Sequence, residues 1–195
     1  MGRSGAAGVQ EGAPEPEGGE FVRAAVADHG VTSGFTPIEP LGESHRLVGF
    51  DSGEGELDEW LTRRGVANQR AGFSRTYVTT DGHRVVAYHS LSAFTVLRSD
   101  ATGRARLQAP RQIPAVLLGR LAVDRDFQGL SLGAAMLRHA MELTVAASQT
   151  VGVRMLVVSA LHPSAAEFYK RFGMTASPTN PLDLMITAVD IEASM

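Results

Sequence analysis

The chain has 195 residues, enough for one domain with a substantial core, and its 44% hydrophobic and 20% charged content is that of an ordinary globular protein. No apolar run approaches the roughly 18 residues of a membrane span. The absence of cysteine excludes disulfides, thiolate chemistry and zinc-thiolate sites, and the six histidines have no metal-ligand spacing, so no metal is expected. The net charge of −3 is unevenly spread: residues 1–34 carry five acidic and two basic side chains, whereas residues 35–195 carry sixteen of each.

The first 34 residues, with "GAAGVQEGAPEPEGGE", are rich in Gly, Glu and Pro and too poor in periodic apolar residues to bury anything, so they read as a disordered extension. Phe21 to Ala27 is either a short helix or part of that fluctuating tail. The segment has neither the basic n-region nor the apolar h-region of a secretory signal, which points to a cytoplasmic protein without a membrane anchor. Residues 35–195 form the expected folded domain.

Within that domain "FTPIEPL" reads as a short first strand. "GELDEWLTRRGVANQR" places Leu57, Trp60 and Leu61 at helical spacing, with Arg and Gln opposite. "SRTYVTTDGHRVVAYHSLSAFTVL" is two strand-like runs joined at Asp81-Gly82, a hairpin signal. A polar, Arg-rich connection from Arg98 to Pro114 leads to "AVLLGRLAV", a nearly continuous apolar run suited to a central strand. A glycine-punctuated turn follows, then a helix from about Leu132 to Gln149, the strand "VRMLVVSA" and a helix from Pro163 to Phe172. Met174 to Ile191 reads as a final pair of strands interrupted by Pro178 and Pro181. This order predicts an α/β (α+β) fold around one mixed sheet.

The turn Gln128, Gly129, Leu130, Ser131, Leu132, Gly133 lies between a buried strand and a helix start, where free amides and the positive end of the helix dipole point outward. It reads either as an anion site or as a plain tight turn. No Gly-Lys-Ser/Thr follows, so it is not a nucleotide P-loop. Arg63, Arg64, Arg70 and Arg75 cluster in sequence, as do Arg98, Arg104, Arg106 and Arg111. Both groups are compatible with tracking phosphates and with a solvated arginine surface.

"RLAVDRDFQGLSLGAAML" resembles the acetyl-CoA loop of the GNAT acyltransferase family, with pattern Arg/Gln-x-x-Gly-x-Gly/Ala, and "AAEFYKRFGM" is similar to that family's Phe-Tyr-x-x-x-Gly-Phe/Met helix end. Ser131 stands where the family usually has its first glycine. "FDSGEGELDEWL", "SRTYV", "ALHPSAAEFYKRFGM" and "SPTNPLDLMI" extend the resemblance, over about residues 35–190, to the GNAT toxins of toxin-antitoxin pairs. The resemblance implies a GNAT fold with a mostly antiparallel mixed sheet flanked by helices. It also implies acetyl-CoA as acyl donor, transfer of acetyl to the α-amine of aminoacyl-tRNA with arrest of translation, a ribbon-helix-helix antitoxin and a homodimer.

Carried over by that resemblance, Leu121, Ala122 and Val123 would line the pantetheine arm as an unpaired strand edge. The amides of Gln128, Gly129, Leu130, Ser131, Leu132, Gly133 and Ala134 would take the diphosphate. Tyr169 would protonate the departing thiolate, a role suited to a phenol with an ordinary pKa of about 10; the competing reading is a core aromatic. Phe168 and Phe172 read as packing. Arg75 and Arg120 would face the acceptor or form structural ion pairs. Asp124 and Asp126 cap or solvate the loop, and His89 and His162 are either relay groups or structural. No carboxylate stands out as a general base, which favours an α-amine of pKa about 7.7–8.0 over a lysine near 10.4. Two other readings remain: acetylation of a small amine such as a polyamine or aminoglycoside, and an acyl-CoA-binding or interaction module without turnover.

Overall fold

A computed structural model describes residues 34–82 and 84–195. The extension read up to Gly34, including the candidate helix at Phe21–Ala27, lies outside the described residues except for Gly34 itself.

Seven strands form one sheet in the order β1-β2-β3-β4-β5-β7-β6, with β1 at Glu39–Pro40, β2 at Arg75–Thr80, β3 at Val85–Leu97, β4 at Gln112–Val123, β5 at Met155–Ser159, β6 at Thr175–Ala176 and β7 at Asp183–Thr187. Only β4 and β5 run parallel; the remaining neighbours are antiparallel, as the sequence led one to expect of a mixed sheet. The hairpin at Asp81-Gly82 forms because Gly82 accepts a φ of 107° and the Asp81 carboxylate takes the Arg84 amide. The first strand is shorter than "FTPIEPL" suggested, because only Glu39 and Pro40 pair with β2.

The helical run after β1 has three parts: α1 at Gly55–Trp60, a π-helical turn at Leu61–Gly65 and α2 at Val66–Arg70. Leu57 and Leu61 bury the inner face against Val78, Val85, Tyr88 and Ala122. Gly65 passes so close to Leu41 that a Cβ there would lie 3.0 Å from its Cδ2, so a larger residue would require the buried Leu41 side chain to shift. A short helix α3, Gly103–Arg106, interrupts the Arg98–Pro114 connection and sets Ala101, Ala105 and Ala109 on Met155 and Met185.

Helix α4, Leu132–Val151, turns Met136, Leu137, Ala140, Met141 and Thr144 onto the sheet and ends at Gly152 with φ 73°. Each fully buried leucine or methionine on this face contributes roughly 1.5–3 kcal/mol. Helix α5, Pro163–Lys170, starts with proline at a position where no amide is needed and is capped by the His162 ring, whose Nδ1 accepts from the Ala165 amide at 3.1 Å.

The C-terminal expectation is corrected: the pair of strands read to Ile191 ends at Thr187, and Ala188–Ser194 is a helix, α6. Thr187 caps it by accepting from the Asp190 amide, and Ile191 is buried in the core beside Leu184. The apolar pattern "MITAVDI" suits a strand as well as a helix, and the Thr-x-x-Asp cap decides the matter.

Candidate active site

The site is made by a mismatch in strand length. Parallel pairing joins Ala115–Leu118 to Met155–Val158 and stops; β5 then ends at Ser159, whereas β4 runs on to Val123. The edge of β4 beyond Leu118 therefore has no strand beside it. The Val123 carbonyl points to this side, since it accepts from the Gln128 side chain at 3.1 Å, and strand alternation directs the backbone groups of Leu121 the same way.

A bulge aims the side chains. Ser90 pairs with Arg120 and Leu91 with Leu118, so Gly119 is an extra residue in β4. In consequence Leu118 and Leu121, three apart, both reach the core cluster beneath α4 and α5, and Ala122 faces Leu57 and Tyr88 on the other side. Arg120 projects toward that same second side, with its guanidinium carbon 5.6 Å from the Trp60 ring centroid.

A cavity of about 670 Å³ occupies the gap, and its lining draws Leu57 and Arg120 from one face of the sheet and Phe168 and Tyr169 from the other. Of the residues expected to bind the donor, Leu121, Ala122, Val123, Gln128 and Gly133 line it, together with Tyr169 and Arg120. Gly129, Leu130, Ser131 and Ala134 form the adjoining turn and helix start outside the cavity proper, and Leu132 is buried beneath it with Val86 and Met136.

That turn leaves several backbone amides without partners. Gly129 has φ 79° and Ser131 φ 61°, both left-handed, which turns successive amides to one side. The Ser131 side chain makes no cap hydrogen bond, no acidic residue sits in the first turn of α4, and the amides of Leu132, Gly133 and Ala134 are left to a ligand or solvent. Ser131 holds a conformation in which glycine costs less, which is the physical content of the departure noted in its motif.

Tyr169 is buried among Leu137, Ala166 and Met174, with its ring edge-on to Phe168, and burial pushes its pKa up to about 12. The phenol is therefore protonated throughout the physiological range and lines the cavity. His162 also lines it, but its Nδ1 is committed to the Ala165 amide, so Nε2 carries the proton and faces the Glu54 carboxylate at 3.5 Å. This tautomer has no free lone pair with which to act as a base. His89 does not line the cavity and bonds to His139 instead. Asp124 does cap the loop after β4: it accepts from the Asp126 and Asp51 amides and pairs with Arg84 at 3.2 Å.

Arg75 does not join the group. It sits at the start of β2, donates to the Gln69 carbonyl at 2.9 Å and lines neither the cavity nor the groove next to it. Several clustered arginines are likewise tied down, Arg63 by Glu59, Arg70 by Glu43 and Arg104 by Asp190. Ser52, Glu54 and Leu57 line the cavity without having been singled out in the sequence, because they come from a loop some seventy residues away. That loop is held at the cavity mouth by Gln128, which donates to the Ser52 carbonyl, and by Arg125, whose amide donates to the Asp51 carbonyl. Among the described residues no cluster of side chains suits a metal ion, and no helix is long and apolar enough to cross a membrane.

A bare strand edge beside a buried phenol, with a turn of unpartnered amides at its far end, is an arrangement suited to an acyl-CoA-dependent transferase. The acetyltransferase (GNAT) domain family matches residues 72–174, and the chain belongs to that family. It is thus a GNAT acetyltransferase with acetyl-CoA as its acyl donor. A tRNA-acetylating toxin of Mycobacterium tuberculosis is 40% identical over 161 residues, 83% of this chain and 97% of that protein. A structure of AtaT complexed with acetyl-methionyl-tRNAfMet is 33% identical, with a TM-score of 0.75 over 82% of this chain and 98% of that one. A tyrosine-to-phenylalanine mutant of AtaT, bound to the C-terminus of the antitoxin AtaR and to acetyl-CoA, is also 33% identical, with a TM-score of 0.69 over 82% and 96%.

Proposed function

We propose that the chain moves acetyl from acetyl-CoA to the α-amine of aminoacyl-tRNA and acts as a translation-blocking toxin. In this reading the pantetheine arm adds along Leu121–Val123 as a further strand, and the amides from Gln128 to Ala134 hold the diphosphate. The amine attacks the thioester carbonyl; a carbon–nitrogen bond forms and the carbon–sulfur bond breaks. Tyr169 gives its proton to the departing sulfur and recovers one, through water, from the acylated nitrogen. The products are the amide and the free thiol of coenzyme A.

The observation that carries the choice of acceptor is the scarcity of bases in the donor cavity. Among the described residues Glu54 is its only carboxylate and already faces the His162 Nε2–H, which leaves nothing placed to strip a lysine ammonium. An α-amine with a pKa of about 7.7–8.0 is partly neutral without help. Inside the cavity the same scarcity of acidic groups disfavours a polycationic small amine, although Glu56 and Glu59 line the adjoining groove, and the buried Tyr169 phenol in the cavity wall disfavours a module without turnover. The likeness to the tRNA-acetylating toxin and to AtaT supports this acceptor, and the likeness to the AtaR complex supports an antitoxin partner of the ribbon-helix-helix kind. A cytoplasmic location, a homodimer and an acidic extension ahead of a domain at residues 35–195 complete the proposal.

The test is thiol release from acetyl-CoA. Charged tRNA is expected to trigger it, and deacylated tRNA or a polyamine is not; release with the polyamine alone would transfer the assignment to the small-amine enzyme.

A further inference from the structure

Gly119 is a glycine that the fold does not require. It is the extra residue of the β4 bulge, its φ is not positive, and a Cβ built on it would meet a single atom, the Ser90 carbonyl oxygen, at an ordinary contact distance of 3.9 Å. Among the described residues, then, neither backbone strain nor crowding excludes a side chain there.

The space left open belongs to the cavity, which Gly119 lines. Leu118 is the last residue of β4 to pair with β5, opposite Val158, so Gly119 stands in the fork where the two strands part. From Val123 to Gly119 the bare edge is about 13 Å long, at roughly 3.3 Å per residue. A pantetheine arm with its diphosphate at Gln128–Ala134 and its amides along that edge would bring its sulfur into this fork, with Tyr169 in the wall of the same cavity.

The fork is apolar. Leu117, Leu118 and Val158 line the cavity around it, and strand alternation puts Leu117 on the same face of the sheet as Gly119. Arg120, next in the chain, lays its guanidinium over Trp60 and donates to the Gly119 carbonyl. Walls of this kind give an alkyl chain apolar contact and give an amine no hydrogen-bond partner, so they suit the tail of the acyl group rather than the nucleophile. What glycine lacks relative to alanine is one methyl group, which is also what acetyl lacks relative to propionyl.

We propose that Gly119 is a specificity-determining residue for the acyl group: its missing side chain leaves a recess, bounded by Leu117, that takes the tail of the acyl chain, so the enzyme transfers propionyl as well as acetyl. The bonds exchanged are the same for either donor. Carbon–nitrogen forms at the acyl carbonyl, carbon–sulfur breaks, and coenzyme A leaves as the thiol. The inference rests on the donor lying along Leu121–Val123 as proposed above, and it does not depend on which amine is the acceptor.

The experiment measures, on the full chain, the Kd of acetyl-, propionyl- and butyryl-CoA by calorimetry and thiol release from each with charged tRNA. The readout is the ratio between donors within one variant, which a general loss of folding leaves unchanged. Wild type is expected to use propionyl-CoA within about tenfold of acetyl-CoA. Gly119→Val should lower the propionyl-to-acetyl ratio at least tenfold, Gly119→Ala should lower it less, and Leu117→Ala should raise the butyryl-to-acetyl ratio severalfold. Rejection of propionyl-CoA by the wild type, or ratios that stay the same in all three variants, would overturn the assignment. Failure of the donor placement is read separately with Gly133→Leu, whose Cβ would lie 3.7 Å from Val123 and 3.8 Å from the Phe168 ring, in the path of the arm. That variant should bind acetyl-CoA at least tenfold more weakly; wild-type affinity in it would remove the placement, and this inference with it.

Discussion

His89 Nε2 on β3 and His139 Nδ1 on α4 lie 2.8 Å apart, a hydrogen bond between two imidazoles beneath the Tyr77 ring. One ring must donate and the other accept, so the bond holds while at least one ring is neutral and is lost when both are protonated. Burial, and then the neighbouring His139, lower the His89 pKa to about 3; burial also lowers that of His139, against an opposing pull from Glu142.

Stability should depend on pH through this pair. The folded-state pKa values lie below the unfolded value of about 6.5, so the unfolded chain binds more protons between them and stability falls as pH drops below about 6.5 toward 3. The limiting slope is about 1.4 kcal/mol per pH unit for each group. Urea midpoints measured between pH 7.5 and 5 should show the fall, and His89→Gln with His139→Leu should flatten it even though the double variant starts from a lower midpoint. An equally steep fall in the double variant would place the titration elsewhere.

Tyr169→Phe keeps the ring that packs on Phe168 and removes only the hydroxyl. The expected result is a loss of about 10²-fold or more in kcat with little change in acetyl-CoA affinity or melting temperature. A loss of binding in place of turnover would make the residue structural.

Ser131 pays for its left-handed backbone, and glycine there would not. Glycine's greater freedom in the unfolded chain offsets part of the gain. Ser131→Gly should therefore raise the melting temperature by about 1–3 °C and tighten acetyl-CoA binding by no more than a few-fold. Ser131→Val, β-branched at the same φ, should do the reverse on both measurements.

Arg84 joins the hairpin end to the loop after β4 through Asp124, whose carboxylate is 2% exposed. Arg84→Met should cost about 2–3 kcal/mol in urea unfolding, because the buried carboxylate keeps its amide donors and loses its charge partner. Asp124→Asn in the same background should recover part of that loss.

Local pattern carried much of this architecture. The alternating runs on either side of Asp81-Gly82 are satisfied by two-residue periodicity and one turn, and the strand–turn–helix from Ala115 to Val151 needs only an apolar run, a glycine and a helical stripe. Tyr169 was singled out by the resemblance of "AAEFYKRFGM" to the GNAT helix end, a motif that lies within a single helix and turn. The last turn of chain was not, because "MITAVDI" satisfies both periods until Thr187 caps the amide of Asp190.

What distance along the chain conceals is the rest of the site. The amino acids alone place Leu121, Val123, Tyr169 and the turn at Gln128–Ala134 in order. That β4 outruns β5 and leaves an edge bare is a property of the assembled sheet. So is the bulge at Gly119, which sends Arg120 to Trp60 on a helix sixty residues earlier, and so is the capture of Arg75 by the Gln69 carbonyl. Glu54 meets His162 only because Asp124, Arg125 and Gln128 fold one loop against another. Short-range preferences act within a few residues and can be read in sequence; the partner of a long polar side chain is chosen by whichever donors and acceptors packing brings within about 3 Å.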